Sequence, residues 1–428
     1  MFQQAFSVDP LPISLAEFKQ KALHWANSFP QVAYYEPNQI AFPHQGFQNF
    51  LAVSNTFLTI NQDKALDSLQ TKVDNIQQTL CCILSYELKN QIEPLTTRHT
   101  DKIQFPVLHY FYPEITINFR ENFIIIYSKS NDCHHLFKEI LNTPLPDKIS
   151  EQSIQVKESI SKKEYIRQVN KIKKQILEGD VYELNYCQEF HAEVKAFNPI
   201  TVFNALNQLS PMPFAGFYKV NDRYLLCASP ERFLKKSGNT LIAQPIKGTI
   251  RRGQTAIEDE QLKQELATNE KEIAENMMIM DLVRNDLARC SKIGTVKVEE
   301  MFSVYAFRQV YQMITTIRSQ VAPTTPLSQI LRCTFPMGSM TGAPKIQAMR
   351  LIDHYENFAR GLYSGSLGYI LPNGNFDFNV VIRSIQYNQS NEHLSFAVGS
   401  AITYDSDPEK EYEECLLKSE SILKIINS

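Results

Sequence analysis

Helix-type and strand-type patterns both run the length of this chain without alternating as regular β-α-β units, and that absence constrains the fold more than any single motif. It favours an α+β arrangement over a doubly wound parallel sheet. The helical signals are local. Ser161 with Glu164 forms a capping box, Tyr165, Val169, Ile172 and Ile176 recur at helical spacing, and Gly179 supplies the stop. Gln261 to about Arg289 reads as one long helical stretch, with Leu262, Leu266, Ile273, Met277 and Met280 turned inward. Asp407 as N-cap and Pro408 in the first turn open a closing helix through Leu416, Ile422, Leu423 and Ile426. Before it, Leu362 to Ile370, Phe376 to Ile385 and Leu394 to Ile402 read as three strands of an antiparallel meander, the first pair joined by Pro372-Asn373-Gly374. Residues up to about 140 mix strands, such as Phe123 to Tyr127, with helices and carry no chemical motif. The polar, proline-containing stretch from Asn142 to Ser159 marks a boundary. It divides a scaffold region, residues 1–150, packed against the core, from residues 156–428, where the chemistry concentrates.

A hydrophobic content of 43% in 428 residues permits a large core, and a net charge of −3 leaves no basic footprint for nucleic acid or an anionic membrane. No apolar run approaches a membrane span and the N-terminus lacks a signal-peptide pattern, so a cytoplasmic location is expected. The eight cysteines are scattered, without a C-x-x-C pair, and are expected to be buried free thiols.

Chemistry-bearing residues gather in four places. Ser229-Pro-Glu-Arg-Phe233 precedes Gln244-Pro-Ile-Lys-Gly-Thr249, where Lys247 lies in an apolar stretch that should lower its pKa toward nucleophilic competence, and where Glu231, if buried, can donate a proton. Glu275, Asp281, Asn285 and Asp286 interrupt an apolar helix. Gly338-Ser-Met-Thr-Gly342-Ala-Pro344-Lys345 is a glycine-punctuated turn into a helix, a seat for a carboxylate or phosphate, although its spacing is not that of a Walker loop. Glu411, Glu414 and Lys418 share one stripe of the closing helix, and two carboxylates one turn apart suit Mg²⁺. Taken alone, each motif also fits ion pairing, capping or surface decoration.

Together, in this order and wording, the four stretches resemble the chorismate-utilising enzymes over roughly Ser161 to Ile426. That family includes anthranilate, aminodeoxychorismate, isochorismate and salicylate synthases. Members that form aminodeoxychorismate carry P-I-K-G-T where anthranilate and isochorismate formers show P-I-A-G-T, and Pro245 to Thr249 match the former. The resemblance implies an α+β fold of large antiparallel sheets flanked by helices, and an aminating transferase. Lys247 would attack chorismate at ring carbon 2 while Glu231 protonates the departing 4-hydroxyl, and ammonia would then open the adduct at carbon 4. The product would be 4-amino-4-deoxychorismate, a precursor of para-aminobenzoate and folate. It further implies Mg²⁺ on Glu275 and Glu414 with Glu411 nearby. Substrate contacts would come from Thr249, Tyr369, Arg383, Gly399, Ser400 and Lys418 and from backbone N–H groups of Gly342 and Ala343. Ammonia would come from a separate glutamine amidotransferase subunit, since no cysteine here sits in a G-x-C-x-G turn.

Several positions depart from relatives or sort among them. Glu183 stands where water-activating members have lysine and aminating members usually have glutamine. Gln312 stands where many have histidine, a residue linked to pyruvate loss in anthranilate synthases, and glutamine does no general acid–base work. Val32-Ala-Tyr-Tyr-Glu-Pro-Asn38 does not match the L-L-E-S segment that binds tryptophan in many anthranilate synthases. The alternatives are an anthranilate synthase component I and a non-catalytic chorismate-binding regulatory subunit.

Overall fold

The computed structural model describes residues 1–9, 11–146 and 154–427. Within them the strands assemble into a twelve-stranded and a nine-stranded sheet, every pairing antiparallel. The two sheets face each other across a core of Tyr35, Cys81, Ile83, Phe214, Leu225, Ile314, Leu367 and Tyr369, drawn from both. Helices cover the outer faces. Leu15–Ala26, Lys162–Leu177, Pro199–Leu209 and Pro408–Ile426 pack on the larger sheet, and Ala65–Val73, Glu270–Ala288 and Leu327–Thr334 on the smaller. The fold is therefore α+β, with large antiparallel sheets flanked by helices. Among the described residues no helix is long and apolar enough to cross a membrane.

Strands from the first third extend both sheets. Gln31–Glu36 pairs with Phe214–Val220, and Leu80–Leu84 pairs with Ser366–Ile370. Part of the expected boundary, residues 147–153, lies outside the described residues.

The capped helices form as their sequences require. Ser161 accepts the Glu164 N–H over Lys162–Leu177, and Asp407 accepts from Glu409 and Lys410 at the start of Pro408–Ile426. Two expectations need correction. The long helical stretch is two helices, Ala256–Thr268 and Glu270–Ala288, because the Asn269 side chain accepts the Glu272 N–H and caps the second helix where the first ends. The inward face of the second helix is Glu275, Asn276, Ile279, Met280 and Asp286, while Met277 is exposed.

The meander is also divided. Ser366–Ile370 and Phe376–Asn379 pair in the smaller sheet, the chain crosses over at Val380 to Arg383, and Ser384–Asn388 and His393–Ile402 pair in the larger. A second crossover lies beside it: Arg223–Ser229 belongs to the larger sheet and Arg232–Ser237 to the smaller, with Pro230 and Glu231 between. The two crossovers are tied together, the Val380 N–H donating to the Glu231 carbonyl at 3.0 Å and the Ala228 N–H to that of Arg383 at 3.2 Å. The paired crossovers thereby bring Glu231 and Arg383 to one cavity at the seam.

Gly216 faces the smaller sheet closely: a Cβ there would fall 2.6 Å from Leu367 Cδ2 of that sheet and 2.9 Å from the Tyr34 carbonyl oxygen of the neighbouring strand. Gly216→Val is expected to lower unfolding free energy by about 1–3 kcal/mol through overpacking. Urea denaturation would measure it, and an unchanged midpoint would contradict this packing.

Candidate active site

A cavity of about 470 Å³ opens at the seam, within the range of small-molecule sites. Lys247, Glu231, Glu275, Arg383, Glu414 and Lys418 all line it.

Lys247 belongs to strand Ile246–Arg251, which loses register against Val310–Gln320 between Ile246 and Thr249. Gly248, at φ +91°, makes that irregularity possible, and a Cβ there would press to 3.2 Å from both Glu272 Oε2 and Leu266 Cδ1. The buried Asn276 side chain anchors the turn by donating to the carbonyls of Lys247 (3.2 Å) and Met313 (3.3 Å) while accepting from Thr315 Oγ1 (2.7 Å).

The ammonium so placed is not a free amine. Lys247 Nζ donates to Glu183 Oε1 at 3.0 Å, with side-chain exposures of 11% and 1%. Burial acts to lower the lysine pKa, as expected from the sequence, but the carboxylates of Glu183, Glu275 and Glu231 outweigh it and hold the pKa above the ordinary lysine value. The expected lowering is thus reversed by neighbours from other elements. The second Glu183 oxygen, Oε2, is buried without a hydrogen-bond partner.

Glu231 has the opposite problem. It is 3% exposed, and burial pushes its carboxyl up to about 7, against the lowering effects of a 2.6 Å hydrogen bond from Ser339 Oγ and of Lys247. A carboxylic acid that retains its proton near neutrality can act as a general acid.

On the wall beside them, Glu275 comes from the helix Glu270–Ala288, and Glu411, Glu414 and Lys418 from the closing helix. Burial raises Glu275 to about 7, opposed by Lys247 and Lys271. Lys271 Nζ stands between Glu411 Oε1 (3.3 Å) and Glu275 Oε1 (3.6 Å), and the latter oxygen has no hydrogen-bond partner. Lys418 pairs with Glu414 at 2.5 Å and donates to the Gly399 carbonyl at 2.8 Å. Among the described residues no three His, Cys, Asp or Glu side chains are gathered as metal ligands. The donor set nevertheless fits Mg²⁺, which takes one or two protein carboxylates and fills its remaining positions with water and substrate oxygens.

Arg383 is half-buried, lines the cavity and adopts φ +53° at the crossover. Its Nη1 donates to the Lys418 carbonyl at 2.9 Å, and among the described residues no carboxylate pairs with it. Desolvation lowers its pKa from the ordinary guanidinium value, against the raising effects of Tyr363 and Glu414. Thr249 and Gly399 also line the cavity, and a Cβ on Gly399 would sit 2.4 Å from Cys187 Sγ.

Four expected contacts lie elsewhere. Tyr369 is in the core between the sheets, ringed by Tyr35, Phe47 and Phe50, and its hydroxyl accepts the Gln48 N–H at 3.0 Å. On its strand, successive side chains face opposite ways, and this one faces inward. Tyr363, which no sequence signal singled out, lines the cavity. Ser400 Oγ hydrogen-bonds the Tyr165 hydroxyl at 3.1 Å instead of facing the cavity. Gly342 and Ala343 pair with Leu184 and Glu183 as an edge strand, and a Cβ on Gly342 would come within 2.2 Å of the Glu183 carbonyl oxygen. The glycine-punctuated motif thus braces the strand that carries Glu183 and supplies Ser339 to Glu231. Lys345 in the same motif pairs with buried Asp286, whereas Asp281 pairs with Arg284 on the surface and Asn285 is exposed. All eight cysteines are free, seven of them buried.

Removing one partner of a buried ion pair leaves an uncompensated charge. Glu183→Ala should therefore lower unfolding free energy by about 3 kcal/mol, and the double replacement Glu183→Leu with Lys247→Met should restore most of it. Equal stability of the single and double variants would contradict a stabilising pair.

Comparison with known proteins agrees with this geometry. An aminodeoxychorismate synthase of Arabidopsis thaliana chloroplasts is 42% identical over 262 residues, covering 60% of this chain but only 28% of that longer protein. An anthranilate synthase component I-like protein of Synechocystis is 32% identical over 349 residues, covering 79% of this chain and 71% of the relative. The solved structure of anthranilate synthase component I from Streptococcus pneumoniae matches with a TM-score of 0.75 at 25% identity, covering 92% of this chain and 91% of that one. Residues 20–424 match the family model described as chorismate binding enzyme, and the chain belongs to that family.

Proposed function

We propose that this chain aminates chorismate at ring carbon 4 to give 4-amino-4-deoxychorismate, using ammonia released by a separate glutamine amidotransferase subunit. The observation that carries the reading is Lys247: a buried amine in the cavity with a proton acceptor behind it and an acid that retains its proton on the same wall. In this reading, Glu183 Oε1 takes the ammonium proton and frees the Lys247 lone pair to attack carbon 2. Glu231 protonates the 4-hydroxyl, which leaves as water as both ring double bonds shift by one position. Ammonia then adds at carbon 4, both double bonds shift back and the carbon–nitrogen bond to Lys247 breaks, so no net oxidation occurs. The new amino group returns a proton to Glu231, and Glu183 returns its own to Lys247. Splitting one allylic displacement into two accounts for the need for a nucleophile.

Arg383, which pairs with no carboxylate among the described residues, and Lys418 suit the two carboxylates of chorismate. Mg²⁺ held by Glu275 and Glu414, with Glu411 nearby, would supply positive charge to the ring carboxylate and fix the ring. Gln312 lines the cavity with a buried, unpartnered Oε1. Unable to relay a proton, it is compatible with retention of the enolpyruvyl group.

A second reading, an anthranilate synthase component I, is favoured by the longer match to the Synechocystis relative. The product discriminates the two. With chorismate, ammonium and Mg²⁺, a non-aromatic product with the mass of the aminated ring and its enolpyruvyl group intact supports the proposal, and fluorescent anthranilate with loss of pyruvate overturns it.

Lys247→Ala should lower amination at least about 100-fold while chorismate still binds. Because Glu231 must be protonated to act, kcat/KM should fall as pH rises through about 7. The Ser339 hydrogen bond favours the ionised carboxylate, so Ser339→Ala should move that alkaline limb to higher pH. A limb that stays in place would remove Glu231 from the acid role.

A further inference from the structure

Lys271 has no part in the reaction just described, yet its ammonium occupies the gap between Glu275, a proposed metal ligand, and Glu411 beside the metal site. Its Nζ lies 3.3 Å from Glu411 Oε1 and 3.6 Å from Glu275 Oε1. For each of these carboxylates it is the ion-pair partner, whereas Glu414 is held by Lys418. The two carboxylate side chains are 2% and 10% exposed, but that of Lys271 is 49% exposed. It stands in the first turn of its helix, so its ammonium can swing into water without disturbing backbone hydrogen bonding. The pairing is also incomplete. At 3.6 Å the contact with Glu275 exceeds hydrogen-bond length, and that oxygen keeps no hydrogen-bond partner although it is buried.

From these observations we propose that Lys271 is a resident counter-cation, neutralising Glu275 and Glu411 while the site lacks metal, and that a divalent ion binds by displacing it. Metal uptake is then an exchange of one cation for another, and Lys271 sets the apparent metal affinity without being a ligand. The inference rests on the proposed Mg²⁺ site. Its physical content is Coulombic: a positive charge within 4 Å of two partly desolvated carboxylates opposes the arrival of a second cation.

The test uses Mn²⁺ alone, without chorismate, with binding followed by electron paramagnetic resonance of the free ion. Lys271→Met should lower the Mn²⁺ dissociation constant about tenfold or more, Lys271→Arg should leave it near the unsubstituted value, and Lys263→Met, a surface control, should leave it unchanged. As a second readout, saturating Mn²⁺ should increase acetylation of Lys271 by acetic anhydride, quantified by peptide mass spectrometry. If Lys271→Met and the unsubstituted chain bind Mn²⁺ equally, the exchange is wrong and the metal site stands. If neither binds Mn²⁺, the metal site itself is wrong and the exchange falls with it.

Discussion

The ion pair between Lys247 and Glu183 is the constraint on which the rest of the site depends. An ammonium with 11% side-chain exposure is costly unless a carboxylate meets it, and here the carboxylate comes from a strand distant in sequence. Much of the surrounding architecture keeps that meeting in place. Gly248 allows the irregular turn that presents the lysine, Asn276 holds its carbonyl, and the Gly342–Ala343 edge strand fixes the backbone of Glu183. A buried Arg360, paired with Glu356, ties the same region together by donating to the carbonyls of Asn185 and Met340.

The pair also resolves a tension in the chemistry. A lysine kept charged cannot attack a ring, and a lysine kept neutral by burial alone would sit unpaired in a wall rich in carboxylates. Holding the ammonium against a carboxylate whose other oxygen has no partner gives the proton a short path off nitrogen within the protein. Glu231, in contrast, is buried so that its carboxyl is pushed up to about 7. In the proposed reaction, two carboxylic acids near one lysine take opposite parts because their surroundings differ.

What could be read from the chain was what depends on near neighbours. Ser161 and Asp407 cap their helices because each side chain needs only its own next turn, and the P-I-K-G-T and S-P-E-R-F segments form the site because strand and crossover geometry are local to them. What depends on distant partners was not legible. The sign of the Lys247 pKa shift turns on Glu183, Glu275 and Glu231, brought there by three different elements. The crossover at Val380–Arg383 looks like continuous strand because its residues are as apolar as a strand's. Tyr369 shows how a residue near a site in sequence can face the core, since a one-residue change of register reverses the face. Asn269 is masked as a cap in the sequence because the apolar pattern continues on both sides of it.

The shared fold carries several chorismate chemistries among relatives, so reaction type rests on side chains at the seam and not on architecture. The most direct measurement is the intact mass of the protein incubated with chorismate and Mg²⁺ but no ammonia, followed by peptide mapping. A covalent adduct of chorismate less water, confined to Lys247 and discharged as aminated product when ammonium is added, is the predicted result. Amination proceeding at an undiminished rate in the Lys247→Ala chain, with no adduct on the unsubstituted one, would contradict the account.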